Sequence, residues 1–219
     1  MFDDFLENDN SSIELNNSNL KSKKENNFNK SNFYKKKQED TPQDPYIPVA
    51  FFIEESFSEE IKNKFYNIIS KFISKGITIR INGDDKEFIK RIQTLSSKYI
   101  EIFIPWKNFN DFESKHYYNT ITSKVIAETN FPGWEKIPDT VKSFIARNVR
   151  MIFGDKNNSI CLCVITWTPD GASKLSEITK DTGKLSNVIR ISSKYYFPII
   201  NLGKPNAETI LEKFFGIEF

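Results

Sequence analysis

Beyond residue 46, short apolar runs alternate with stretches whose apolar positions recur every three to four residues. The first run, VAFFIEE at 49–55, leads to a stripe of Ile61, Phe65, Ile68, Ile69, Phe72 and Ile73 that stops at Gly76 and predicts a helix. Ser56, three residues ahead of Glu59, reads as its capping box. A second run, ITIRI at 77–81, meets the turn Asn82-Gly83-Asp84-Asp85, after which Phe88, Ile89, Ile92 and Leu95 mark another helix. A third run starts at Tyr99, and a mostly helical insertion covers about 112–153. The fourth run, ICLCVITW at 160–167, connects through 188–196 to FPIINL, and Ile210, Leu211, Phe214 and Phe215 give a last amphipathic helix.

Five strand-like runs separated by helices predict an α/β fold, a Rossmann-like, mostly parallel sheet flanked by helices. Parallel strands need long crossovers, and helices usually supply them. Ligands of such sheets bind beyond the carboxyl ends of the strands. Chemistry is therefore sought just after Phe52, Ile81, Phe103, Ile165 and Leu202.

The first 45 residues break the pattern. They are crowded with Asn, Ser, Lys and acids, show neither helical nor strand period, and read as a disordered arm ahead of one domain over 46–219. Acids come first in the arm and lysines later, with Lys35, Lys36 and Lys37 beside Phe33 and Tyr34. The arm is either a solvated leader or a docking segment for a protein partner through Phe2, Phe5 and Leu6, or for a nucleic-acid backbone through its lysines. At 219 residues, two independent domains would be cramped.

Thirty-one Lys+Arg against 29 Asp+Glu give a net charge of +2, too small for bulk electrostatics to predict nucleic-acid or membrane binding. Any basic site must be local. Cys161 and Cys163 stand one residue apart in an apolar run, where strand geometry does not suit a disulfide, so the chain reads as reduced and intracellular. No stretch reaches the roughly 18 to 20 apolar residues that span a bilayer. The acidic start MFDDFLENDN does not resemble a secretory signal. A single histidine, His116, and two cysteines cannot close a zinc site, and no nucleophile motif accompanies them. No cofactor and no catalytic set is expected.

Two strand ends carry candidate ligand chemistry. After Ile81, Gly83 at a strand-to-helix turn lets backbone N–H groups meet an anion, with Asn82 and Asp84 beside it; the same turn also reads as a plain helix cap. After Ile165, Thr166, Trp167, Thr168, Asp170 and Gly171 offer hydroxyls, an aromatic plane and an acid suited to a nucleoside. Alternatively, Trp167 is core and Pro-Asp-Gly a surface turn. Gly183, in Thr182-Gly183-Lys184, precedes a helix bearing Arg190 and forms another candidate phosphate cradle. Arg147 and Asn148, on a helix of the insertion, are either solvated or an anion clamp.

The ordered pieces Ile104-Pro105-Trp106-Lys107-Asn108-Phe109-Asn110, Phe131-Pro132-Gly133-Trp134, Ala146-Arg147-Asn148, Thr166-Trp167-Thr168-Pro169-Asp170-Gly171, Ile189-Arg190-Ile191 and Pro198-Ile199-Ile200-Asn201-Leu202 together resemble a bacteriophage family. Its members belong to the SLOG superfamily, which includes the DNA-processing protein DprA and LOG-type nucleotide hydrolases. The resemblance implies a crevice for a nucleotide, a nucleotide-derived signal or single-stranded DNA, built from two glycine-bearing loops. Family loops of the Ser-Gly-Gly-Ala and Gly-Gly-Thr-Gly types are reduced here to Asn82-Gly83-Asp84-Asp85 and Gly183-Lys184-Leu185-Ser186. The resulting expectation is a non-catalytic binder of a nucleotide-like ligand or single-stranded nucleic acid in the host cytoplasm. The alternatives are a ligand-free scaffold, virion-associated or engaged with another protein, and a nucleotide N-glycosidase. Relatives pair through helices, which implies a homodimer.

Overall fold

The five apolar runs form five parallel strands in one sheet: β1 (Val49–Phe51), β2 (Ile79–Asn82), β3 (Ile100–Phe103), β4 (Val164–Thr166) and β5 (Ile199–Asn201). The structure, a computed structural model, describes residues 47–155 and 159–218. The arm expected over 1–45 lies outside these residues. Strand order is β3-β2-β1-β4-β5, the arrangement of a Rossmann-like α/β fold. The register pairs Phe51 with Ile81 on one side and with Ile165 on the other, which makes β1 the middle strand.

Among the described residues, six helices flank the sheet: α1 (Glu59–Ser74), α2 (Lys86–Gln93), α3 (Ile121–Asn130), α4 (Asp139–Phe153), α5 (Ser186–Lys194) and α6 (Ala207–Phe215). The chain steps outward from β1 to β2 to β3, then returns to the other side of β1 at β4. With right-handed crossovers, that reversal places α1 and α2 on one face and α4 and α5 on the other. Among the described residues, no helix is long and apolar enough to cross a membrane.

The helical period of α1 buries Phe65, Ile68, Ile69, Phe72 and Ile73, while Ile61 is half-buried. Its cap is Ser58, whose Oγ accepts from the Ile61 N–H at 3.4 Å, so the Ser56 capping box expected from the sequence is displaced by two residues. The reason is Phe57, which is buried against Phe65, with ring centroids 5.9 Å apart, and anchors the chain just before the helix. Ser56 instead hydrogen-bonds Glu54. In α6 the buried positions are Ala207, Leu211 and Phe215, whereas Ile210 and Phe214 are exposed.

Strands buried on both faces need apolar side chains at every position, and β1 and β4 comply until the hydroxyl of Thr166. Cys161 and Cys163 are free and buried; burial pushes the Cys161 thiol up to about 12, far from a reactive thiolate. The centre of the core is aromatic. Phe72, fully buried, meets Phe51 of the middle strand at 5.7 Å and Phe215 of the last helix at 4.5 Å. Phe72→Ala removes both contacts and leaves a cavity, so its expected cost is about 3–5 kcal/mol. Urea denaturation checks this: the midpoint should fall with the slope unchanged.

Candidate functional site

At the carboxyl edge of the sheet, two side-chain networks hold the loops. The first begins at Asn82, the last residue of β2. Its Oδ1 accepts from the Ile53 N–H at 2.8 Å and its Nδ2 donates to the Ile53 carbonyl at 2.6 Å, so it reproduces a backbone pairing just past the end of β1. Nδ2 also donates to Asp84 Oδ2 at 2.8 Å. Asp84 takes both arms of the Arg147 guanidinium, Nη2 at 3.0 Å from Oδ2 and Nη1 on Oδ1. The Arg147 side chain is 2% exposed; its Nε donates to Asn148 Oδ1, and Asn148 Nδ2 donates to Asn187 Oδ1 at 2.9 Å. Asn187 in turn donates to the Lys184 carbonyl. The network thus runs from β2 through α4 to the start of α5.

Asp170 centres the second network. Its Oδ1 accepts from the Thr168 hydroxyl at 2.7 Å and from the Ala172 N–H at 3.2 Å; its Oδ2 accepts from the hydroxyls of Thr179 and Thr182. Asn201, at the end of β5, accepts from the N–H of Thr168 and Gly203, each at 3.0 Å, and donates to the Ala172 carbonyl at 2.6 Å. Burial by itself raises the Asp170 pKa, but the four hydrogen bonds outweigh it and bring the group down to about 2.

Gly183 lies in the chain between these networks. Its neighbour Thr182 belongs to the second, and the Lys184 carbonyl belongs to the first. Its φ of +61° is one that glycine adopts freely, and nothing stands within 4 Å of where a Cβ would project. The backbone there is open, directly ahead of α5. Glu54, just past β1, is half-buried. Burial raises its pKa, the Lys184 charge opposes that rise, Ser56 donates to it at 3.2 Å, and Asp84 adds repulsion. Glu54, Lys184 and Gly183 therefore border the point where strand order reverses between β1 and β4.

The sequence-predicted residues divide accordingly. Asn82, Asp84, Arg147 and Asn148 meet in the first network, and Thr168 and Asp170 in the second. Gly171 closes the intervening turn, its N–H on the Thr168 carbonyl. Thr166, fully buried, donates to the Phe52 carbonyl. Trp167 is half-buried and meets Phe57 edge-on at 5.4 Å. The Gly83 N–H donates to the Phe103 carbonyl, extending the ladder to β3, and a Cβ there would sit 2.7 Å from Ile104 Cγ2. That glycine answers a close approach between strands. Arg190 lies elsewhere, in a groove beside the end of α3.

No family model, curated protein or solved structure matches this chain.

Sequence reasoning did not single out Glu54, Asn187 or Thr179, and it named Thr182 only as part of the Gly183 turn, not as a partner of Asp170. Glu54 alone had a signal, its place just after the first apolar run. His116, the lone histidine, stacks on Phe103 at 4.3 Å and pairs through Nδ1 with Asp155, which also holds Arg150. Burial lowers the pKa of that imidazole.

Asp170 gives a pH signature. Its folded pKa of about 2 lies below the ordinary carboxyl value of 3.8, so its ionised form stabilises the fold above that value and the contribution is lost as pH falls through about 2. Stability of the full chain and of Asp170→Asn, followed by urea midpoint from pH 5 downward, should differ by a constant gap above about pH 4 that closes toward pH 2.

Proposed function

We propose that this chain is a binding protein for a nucleotide-like ligand, taken up at the carboxyl edge of the sheet where strand order reverses between β1 and β4. The observation that carries the reading is Gly183. Its backbone is open, its two neighbours are held by separate networks, and it stands at the start of a helix next to the Lys184 side chain. An anion there meets unobstructed backbone, the positive end of α5 and one ammonium. Glu54, close enough for the Lys184 charge to act on it, is a carboxylate suited to accept from ribose hydroxyls. The SLOG resemblance of the sequence points the same way, toward a phosphorylated nucleoside or single-stranded nucleic acid.

The first loop is a poor phosphate cradle in this chain. The segment between β1 and α1 has no glycine and carries Glu54 and Glu55, and the first turn of α1 adds Glu59 and Glu60, so the start of α1 repels anions. That leaves the Gly183 loop as the anion contact and assigns Asp84, Arg147, Asn148 and Asp170 to holding the walls. A second reading, a scaffold without ligand, draws on another observation: Asn82, Asp84, Asp170 and Asn201 already have partners within the protein.

Titration of the purified chain with nucleoside mono- and diphosphates, cyclic dinucleotides and oligo-dT, followed by tryptophan fluorescence, separates the two. Saturable binding is expected for at least one class, weakened about tenfold or more by Gly183→Val and by Lys184→Gln. Steep loss with added salt identifies the oligonucleotide; a shallow dependence identifies the nucleotide. Flat curves throughout leave the scaffold.

A further inference from the structure

The last turn of α3 and one face of α5 wall a groove of about 480 Å³ that includes Phe131 and Leu175. On α5, Arg190 and Lys194 stand one helical turn apart and line it, and neither forms an ion pair or a side-chain hydrogen bond among the described residues. This contrasts with Arg80, Arg147 and Arg150, each paired with a carboxylate. Asn130, 6% exposed, donates through Nδ2 to the Ile126 carbonyl at 2.6 Å and to the Tyr195 hydroxyl at 3.2 Å, which fixes the amide and leaves Oδ1 without a donor. The Ser193 hydroxyl oxygen is likewise buried and unpartnered. Leu175 is 49% exposed at the rim.

Each feature asks for something different. An unpaired guanidinium with an ammonium one turn away matches the oxygens of a phosphate or carboxylate. A buried amide oxygen without a donor is uncommon, and it marks the wall beneath the groove as polar. Exposed Leu175 and the Phe131 ring favour an apolar body. We propose that this groove is a binding site for a small organic anion, a phosphate or carboxylate carried on an apolar ring or chain, held by Arg190 and Lys194 at its charged end and by Phe131 and Leu175 along its body. The groove shares no residue with the Gly183 crevice, and the assignment does not rest on the function proposed there.

The test maps amide chemical shifts of the full chain titrated with phenyl phosphate, benzoate, inorganic phosphate and benzyl alcohol. Saturable shifts confined to residues 129–132, 175 and 190–194 are expected with phenyl phosphate or benzoate. The tighter of the two identifies the head group. Either should bind about tenfold more tightly than inorganic phosphate or benzyl alcohol, which each supply one half of the ligand. Arg190→Gln and Lys194→Gln should each weaken binding about tenfold. Arg190→Lys keeps the charge but loses the fork, so it should fall between wild type and Arg190→Gln, and it serves as the readout if Arg190→Gln perturbs the fold. Leu175→Ser should weaken phenyl phosphate and leave inorganic phosphate unchanged. Shifts that do not saturate, shifts that centre on Gly183 and Lys184, or equal affinity in Arg190→Gln and Arg190→Lys overturn the proposal.

Discussion

A parallel sheet covered by helices on both faces ends in loops whose backbone groups lose water without gaining ladder partners, and unpaired buried amides are costly. At the carboxyl edge of this sheet, two asparagines carry that constraint. Asn82 takes both the N–H and the carbonyl of Ile53, and so continues the sheet past β1 with a side chain in place of a strand. Asn201 does the same for the loop after β4 through Thr168 and Ala172. An amide suits the task because it carries a donor and an acceptor on one planar group. Aspartate at either position would lack the donor, and leucine would lack both.

Once the strand tips are fixed, charge can be placed among them. The Arg147 side chain is almost fully removed from water, and its desolvation is offset only because both carboxylate oxygens of Asp84 and the Asn148 amide receive its N–H groups. Such a pair adds little net stability over an apolar replacement, but it dictates geometry: 63 residues apart in sequence, Asp84 and Arg147 hold the β2 turn against α4. From there the Asn148–Asn187 link reaches α5. The loop that presents Gly183 is therefore positioned by side chains far from it in the chain, and its openness is compatible with order.

Much of this fold is legible in the sequence, and the physical reason is periodicity. The five runs and the α1 stripe follow from burial on one or both faces, whereas the strand order is set by which runs pair with β1, and spacing does not encode that. The helix start at Ser58 was harder to read, because Ser56 and Ser58 both satisfy a cap pattern. Only the burial of Phe57 against Phe65 and Trp167 decides between them. The edge chemistry was legible by address but not by partner. Asp84, Arg147 and Asp170 stand where a parallel sheet puts function, yet spacing does not encode that Asp84 meets Arg147 or that three threonines converge on Asp170. Gly83 and Gly183 look alike in sequence. One is packed under Ile104 and the other open, a difference set by neighbours 19 to 21 residues away for Gly83 and by none for Gly183.

The two proposed binding surfaces adjoin one helix. Asn187 ties the first turn of α5 to the β2 turn through Asn148 and Arg147, and Arg190 lies three residues on, a displacement of about 5 Å along the helix axis. The two ends of that helix answer different constraints. Its start is committed to holding loops in place, because every polar group of the Asn187 amide is spent on Asn148 and the Lys184 carbonyl. Further along, Arg190 and Lys194 have no carboxylate to hold among the described residues, so their charge is left to water or to whatever enters the groove.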